Sequence, residues 1–343
     1  MELNARKPGV VGGLYEVAFG VPDLAEAIGY RERFGYRVGE VGRLAADAAH
    51  ALYGVRSDLR SVRLYHQQSD HGLLRLMQWA HPAGEGLALA PFRCLGARWI
   101  TTVTRDGWRL LNHLETLERR GGEVWFMPPV FTHSHYRGNA HLLPFADDLV
   151  GLREGAFATP LDRQVFLERF GFARPNYGAI HETCLLQCSQ NVHSGVVLQD
   201  DSGAKRRFYA EGFGLTVWPE VAVGHDRAVV SRGVFALEPG EGQRVTDADD
   251  LGPPVDPIQG RSGRLKLFRF EETRALPDKR DVARPGFLGP CLYTYRVNDL
   301  ARLRDRAIAA GGRGATPILA DEFGRGAFSV EAPDGYVWTL VAA

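Results

Sequence analysis

Charge of one sign is what this chain lacks: Lys plus Arg number 41 and Asp plus Glu number 41 among 343 residues. A balanced chain offers no whole-molecule field to nucleic acid or to an anionic membrane, so neither partner is expected and a small-molecule ligand is. Cysteine is scarce as well. Cys94, Cys184, Cys188 and Cys291 are too few and too scattered for a disulfide framework, and none falls in a paired Cys-x-x-Cys zinc pattern, which leaves reduced thiols. No apolar run is long enough to span a bilayer, and Met1 to Gly9 is charged without an apolar core of signal-peptide length, so a cytoplasmic chain is expected. Two catalytic templates are missing too: there is no Gly-x-Ser-x-Gly elbow and no phosphate loop ending in Gly-Lys-Ser/Thr. Arg302, Arg304 and Arg306 spread around a helix and read as a solvated face.

What is there is ordinary globular composition, 45% hydrophobic and 24% charged, at a length suited to two domains. It also contains a duplication. Gly72-Leu73-Leu74-Arg75-Leu76-Met77-Gln78-Trp79 and Gly263-Arg264-Leu265-Lys266-Leu267-Phe268-Arg269-Phe270 are alternating runs opened by glycine, closed by an aromatic, and offset by 263 − 72 = 191. Gly121-Gly122 recurs as Gly311-Gly312, and Asp106 as Asp299, at nearly the same spacing. Within each half a smaller unit repeats. Leu14 to Val21 reads as a strand, Pro22-Asp23 as a helix start and Gly35 as its stop; Trp99 to Thr104 with Asp106, and Leu292 to Val297 with Asp299, follow the same plan. Ser61 to His66, Leu73 to Trp79, Ala327 to Val330 and Tyr336 to Val341 read as the further strands. The third unit shows a helix at Asp201 to Phe213, with its first strand at either Ile180 to Leu186 or Gly195 to Gln199. Phe145 to Asn176, with a helix near Leu161 to Phe170, reads as a connector.

A strand, a helix and three strands, four times over, with VPDLAEAIGYRERFGY and APDGYVWTL as edges, resembles the vicinal oxygen chelate superfamily of glyoxalases, bleomycin-resistance proteins and extradiol dioxygenases. The resemblance implies an α+β fold of four βαβββ modules, paired into two domains with curved mixed sheets. On that reading residues 1–150 form the first domain, 151–178 a connector and 179–343 the second. It also implies a divalent metal, held at the floor of each cup by His, Gln or Glu on the first and last strands of the modules. Seven residues before the helix-starting Asp stand Glu16, Trp99 and Leu292, and on the last strands stand Arg75, Lys266 and Thr339, with Leu142 beside His141 in the second unit. Only Glu16 could ligate a metal, and a guanidinium offers donors alone, so a metal at the family position is not expected.

Strand alternation sets Arg75 on one face with Met77 and Trp79, a cation among apolar groups suited to a flat anionic substrate. Arg75 is then a candidate anion anchor and Glu16 a candidate general base, with Met77, Trp79, Trp99, His133 and His135 as substrate contacts and His141 as a further catalytic candidate. The plainer reading is a buried Glu16–Arg75 ion pair. Glu16, His135 and His141 could alternatively form an off-pattern site for iron, manganese or zinc. Glu182 is the expected twin of Glu16 in the third unit, and the floor near Lys266, Leu292 and Thr339 looks bare of acid or base. Two functions follow. One is an enzyme of lyase, isomerase or dioxygenase type acting on a small anionic or aromatic metabolite, and the other is a metal-free binding protein of the bleomycin-resistance kind, either of them able to form a homodimer.

Overall fold

A computed structural model describes residues 9–136, 149–174, 176–199, 203–250, 262–271 and 275–343. The first unit comprises β1 (Val10–Gly20), α1 (Leu24–Glu32), β2 (Tyr36–Leu44), α2 (Ala46–Tyr53), β3 (Leu59–His66) and β4 (Leu73–Trp79). The second has β5 (Arg98–Thr104), α3 (Gly107–Arg119), β6 (Trp125–Tyr136), β7 (Leu149–Thr159) and β8 (Asp162–Phe170). The third has β9 (His193–Val197), α4 (Gly203–Arg207) running into a π-helical turn, β10 (Thr216–Val217), β11 (Val221–Gly224), α5 (Val229–Phe235), β12 (Gly242–Asp249) and β13 (Arg264–Glu271). The fourth has β14 (Gly289–Val297), α6 (Leu300–Ala309), β15 (Leu319–Ala320), β16 (Gly326–Glu331) and β17 (Val337–Ala342).

The repeated aspartates start the helices by capping them. Asp23 accepts from Glu26 N at 2.8 Å, Asp106 from Trp108 N at 3.0 Å and Asp299 from Arg302 N at 3.0 Å, each satisfying an N–H that the helix cannot bond itself. The duplicated stops Gly121 and Gly311 sit at φ 80° and 97°, where a side chain would be strained.

The units pair across the halves. One eight-stranded sheet runs β15-β16-β17-β14-β1-β4-β3-β2, joining the fourth unit to the first, and the other, nine-stranded, runs β10-β12-β13-β9-β5-β8-β7-β6 with β11 also paired to β12, joining the third to the second. The seams are antiparallel, with Val17 opposite Tyr293 and Trp99 opposite Gly195. The α+β architecture of four modules and curved mixed sheets is as expected, but the partition differs. The expected boundary at 150 falls inside β7, and the expected connector is strand as far as Phe170. Leu161 to Phe170 spaces its apolar residues like a helix because β8 is buried on both faces and has no period-two signature to show. The third unit begins at His193, not at Ile180.

Three apolar clusters follow from this pairing. One lies between the two sheets and joins Val17, Phe19, Tyr293 and Trp338 to Ile100, Phe166, Val196 and Leu265. The other two fill the concave faces, one around Ala18, Met77, Trp79 and Leu292, the other around Trp99, Val165, Phe235 and Phe268. Tyr293 stitches the sheets together: its hydroxyl accepts from Trp99 N at 3.0 Å and lies 2.9 Å from the Gly195 carbonyl. Cys94, Cys188 and Cys291 are buried free thiols, and Cys184 is partly exposed. Among the described residues no helix is long and apolar enough to cross a membrane.

His66, at the end of β3, places Nε2 3.1 Å from the Cys188 carbonyl while Nδ1 is buried without a partner. Burial pushes this imidazole from 6.5 down to about 4. The unfolded chain therefore takes up the proton first, so the stability present above pH 6.5 is lost as pH falls toward about 4. We expect a loss of about 2 kcal/mol between pH 7 and 5 in denaturant titrations, absent from His66→Gln. An equal acid loss in both proteins would assign it to other groups.

Candidate functional site

The two cups have opposite fates. In the first, α2 leaves β2 and drops into the concavity, burying Ala49, Leu52 and Tyr53 against Ala18, Met77, Trp79 and Leu292. Trp79 meets Tyr53 edge to face at 6.1 Å. Arg75 is wholly buried beneath this plug: Nε lies 3.1 Å from Glu16 Oε1, Nη1 donates to Tyr53 Oη at 2.9 Å and to Glu322 Oε1 at 3.3 Å, and Nη2 donates to Thr294 Oγ1 at 2.9 Å. Glu16 also accepts from Arg63 Nε at 2.7 Å, and Arg63 in turn meets Glu40. Burial pushes the Glu16 carboxyl up, but Arg63 and Arg75 outweigh it and hold it below the usual carboxylate range. A carboxylate so held is a poor proton acceptor. The expected base and anion anchor are therefore each other's partners, and the plainer ion-pair reading fits the geometry.

The second cup keeps a cavity of about 340 Å³. Helix α5 covers it without filling it, and the register explains what lines the floor. On β1 and β4, Ala18 pairs with Arg75 and Glu16 with Leu73; on β9 and β13, Gly195 pairs with Lys266 and His193 with Arg264. His193 thus holds the station of Glu16, and Lys266 that of Arg75. Glu182, the expected twin, instead meets Arg105 on the surface. The floor expected to be bare is not: Glu154 on β7, Thr132 on β6, Tyr177, His193 and Lys266 all line this cavity.

Each of these groups has a definite electrostatic setting. Burial raises the Glu154 carboxyl above its usual range, with Lys266 and a hydrogen bond to Thr132 only partly opposing it. Lys266 donates to Asp247 at 3.0 Å; burial alone would lower its ammonium, but Asp247 outweighs this and keeps it charged. Burial, helped by Lys266, holds His193 well below its usual range and therefore neutral. Its Nδ1 lies 2.5 Å from the hydroxyl of Tyr177, whose proton is retained because burial pushes the phenol up. Beside this polar arc stands an aromatic wall: Trp99 lies 5.3 Å from Phe268 and 5.9 Å from Phe235 between ring centroids. Trp99 can lie flat only because residue 195 is glycine, where a Cβ would come 2.1 Å from the indole. Gly195→Ala is expected to cost about 1–3 kcal/mol by displacing that ring, read as a fall in Tm; an unchanged Tm would mean the indole moves freely.

Of the other residues singled out from the sequence, Trp99 lines the second cup, whereas Met77 and Trp79 are packed in the first. His133 and His135 fall on β6, opposite Leu152 and Val150, in the other sheet from Glu16. The strand of His135 is thus not in the sheet that carries Glu16, and His141, with Leu142, lies outside the described residues. Among the described residues no three His, Cys, Asp or Glu stand close enough to hold a metal ion. The divalent cation that the fold family implies does not suit either seat, since fixed cations, Arg75 in one and Lys266 in the other, occupy the stations of its ligands. A larger groove of about 630 Å³ runs beside α1, outside both cups, but its buried charges Arg31 and Asp162 are locked on each other at 2.9 Å.

No protein-family model matches the sequence. No curated protein matches it either. Solved structures do. Glyoxalase I from Zea mays superposes with a TM-score of 0.54 at 13% identity, covering 96% of this chain and 92% of that one. One point mutant of the same maize enzyme gives 0.54 at 14% identity over 96% and 92%, and a second gives 0.51 at 13% over 96% and 93%. With four such modules in two cupped sheets, this chain has the fold of the vicinal oxygen chelate superfamily.

Proposed function

We propose that this protein is an enzyme of lyase or isomerase type, which moves a proton on a small anionic molecule held in the second cup. The observation that carries this reading is Glu154, a carboxyl without an ion-pair partner among the described residues, raised in its protonation range and facing the cavity beside a charged ammonium. In its ionised form Glu154 takes the proton from a carbon next to a carbonyl. The electron pair moves onto the carbonyl oxygen as an enolate, which Lys266 neutralises, and the proton returns to another carbon or departs with a leaving group. Trp99, Phe235 and Phe268 exclude water and bind a flat apolar part. Ring cleavage of dioxygenase type would call for a metal seat that Lys266 opposes. The aromatic wall alone also suits a binding protein of the drug-sequestering kind, and one experiment separates the two. Small oxo acids and aromatic acids are incubated with the protein in D2O and followed by proton NMR; deuterium entering the carbon next to the carbonyl supports the enzyme. Binding without exchange for every acid that binds would leave sequestration.

A further inference from the structure

A proton leaving carbon leaves charge on oxygen, and the groups able to meet that charge can be worked out from the hydrogen bonds of His193. Tyr177 Oη lies 2.5 Å from His193 Nδ1, its one side-chain partner among the described residues; with the phenol as donor, the imidazole nitrogen accepts. A neutral imidazole that accepts at Nδ1 carries its own proton on Nε2. Nε2 has no partner among the described residues, and His193 lines the cavity, so in that tautomer the ring offers the cup a donor and not a base. Lys266, diagonal to it on the adjacent strand, adds an ammonium that Asp247 fixes from behind at 3.0 Å.

We propose that His193 Nε2–H and Lys266 Nζ together form a metal-free seat for a ligand bearing two neighbouring oxygens, an anion of the oxalate or 2-oxo-acid class. This rests on reading the second cup as the ligand site. The two donors stand on adjacent strands at the stations where the fold elsewhere carries Glu16 and Arg75, and they point the same chemistry outward: N–H toward oxygen, with no lone pair for a metal. One donor is charged and one neutral, which suits a carboxylate oxygen beside a carbonyl or enolate oxygen. Tyr177 is a positioning residue, acting through the tautomer it imposes on His193.

Oxalate is the probe, titrated by calorimetry into the full-length protein after EDTA treatment. Binding at one site per chain is expected without added metal, weakened about tenfold or more in both Lys266→Gln and His193→Phe. Glu154→Gln should bind oxalate at least as well as the parent, because it removes a like charge. Nitrogen-15 spectra of the unaltered protein should show His193 as the Nε2–H tautomer, and Tyr177→Phe should mix the tautomers; this reading needs no variant at Lys266 or His193 to fold. The proposal is overturned if oxalate binds only once manganese, iron or zinc is added, if it does not bind at all, or if His193 carries its proton on Nδ1. Oxalate binding with no proton exchange on any oxo acid would leave the seat standing and defeat the proton-transfer reading alone. Exchange that depends on Glu154 without oxalate binding would do the reverse.

Discussion

Replacing Glu154 with Gln should lower turnover of a small oxo acid by about 10²–10⁴, the usual contribution of a positioned general base, while the folded protein becomes no less stable. The two halves of that result have one cause. A carboxyl whose folded-state range is raised contributes stability when protonated, fully present below its unfolded value near 4.5 and lost as pH rises through the folded value. Once ionised, the group therefore strains the cup, and an amide of the same shape relieves it. The rate runs the other way: proton abstraction needs the ionised form, so its acid limb should sit above the ordinary carboxylate range. Rate against pH and denaturation midpoints on the same two proteins check both. A Glu154→Gln protein of full activity, or one that is active but distinctly less stable, would show that the carboxylate is a structural partner instead.

Arg75→Met should cost about 3–5 kcal/mol, a large share of what a folded chain possesses, because it takes a cation away from two buried carboxylates. Glu16 would keep Arg63, but among the described residues Glu322 would keep only the Tyr53 hydroxyl at 2.6 Å, with both acids out of water. The plug formed by α2 is seated on those contacts, so the loss should appear as a lowered denaturation midpoint together with faster proteolysis near Tyr53. Oxalate affinity, measured where the variant is still folded, should not change. Loss of that affinity with stability intact would return Arg75 to the role of anion anchor and move the active cup to the other sheet.

The repeated run at Gly72 and Gly263 was enough to equate β4 with β13 and hence Arg75 with Lys266, and the capping aspartates located three of the four module helices. Equating His193 with Glu16 was out of reach. Their spacing is 193 − 16 = 177 residues against 191 for the last strands, because the third module is longer ahead of α5 and between β12 and β13, and the only acid with the right flanking pattern was Glu182. Which cup is open was equally hidden. Ala46–Tyr53 and Val229–Phe235 are short helices inserted at equivalent places, and whether one fills a concavity or roofs it depends on how far Tyr53 or Phe235 reaches, a matter of packing that spacing does not encode. Glu154 went unseen for a simpler reason: β7 stands in what reads as a connector, between residues whose pattern matches no template.

The seam between β1 and β14 joins residues nearly the whole chain apart, whereas every strand of the nine-stranded sheet lies between Arg98 and Glu271. One sheet is thus nested inside a loop of the other. During synthesis the inner sheet can complete itself while the outer one still waits for its last strands, so contact order divides the molecule into an early and a late folding body. A chain cut short before Gly289 would expose the bare edge of β1 and invite a second copy to pair with it, making strand-exchanged dimers the expected product of truncation.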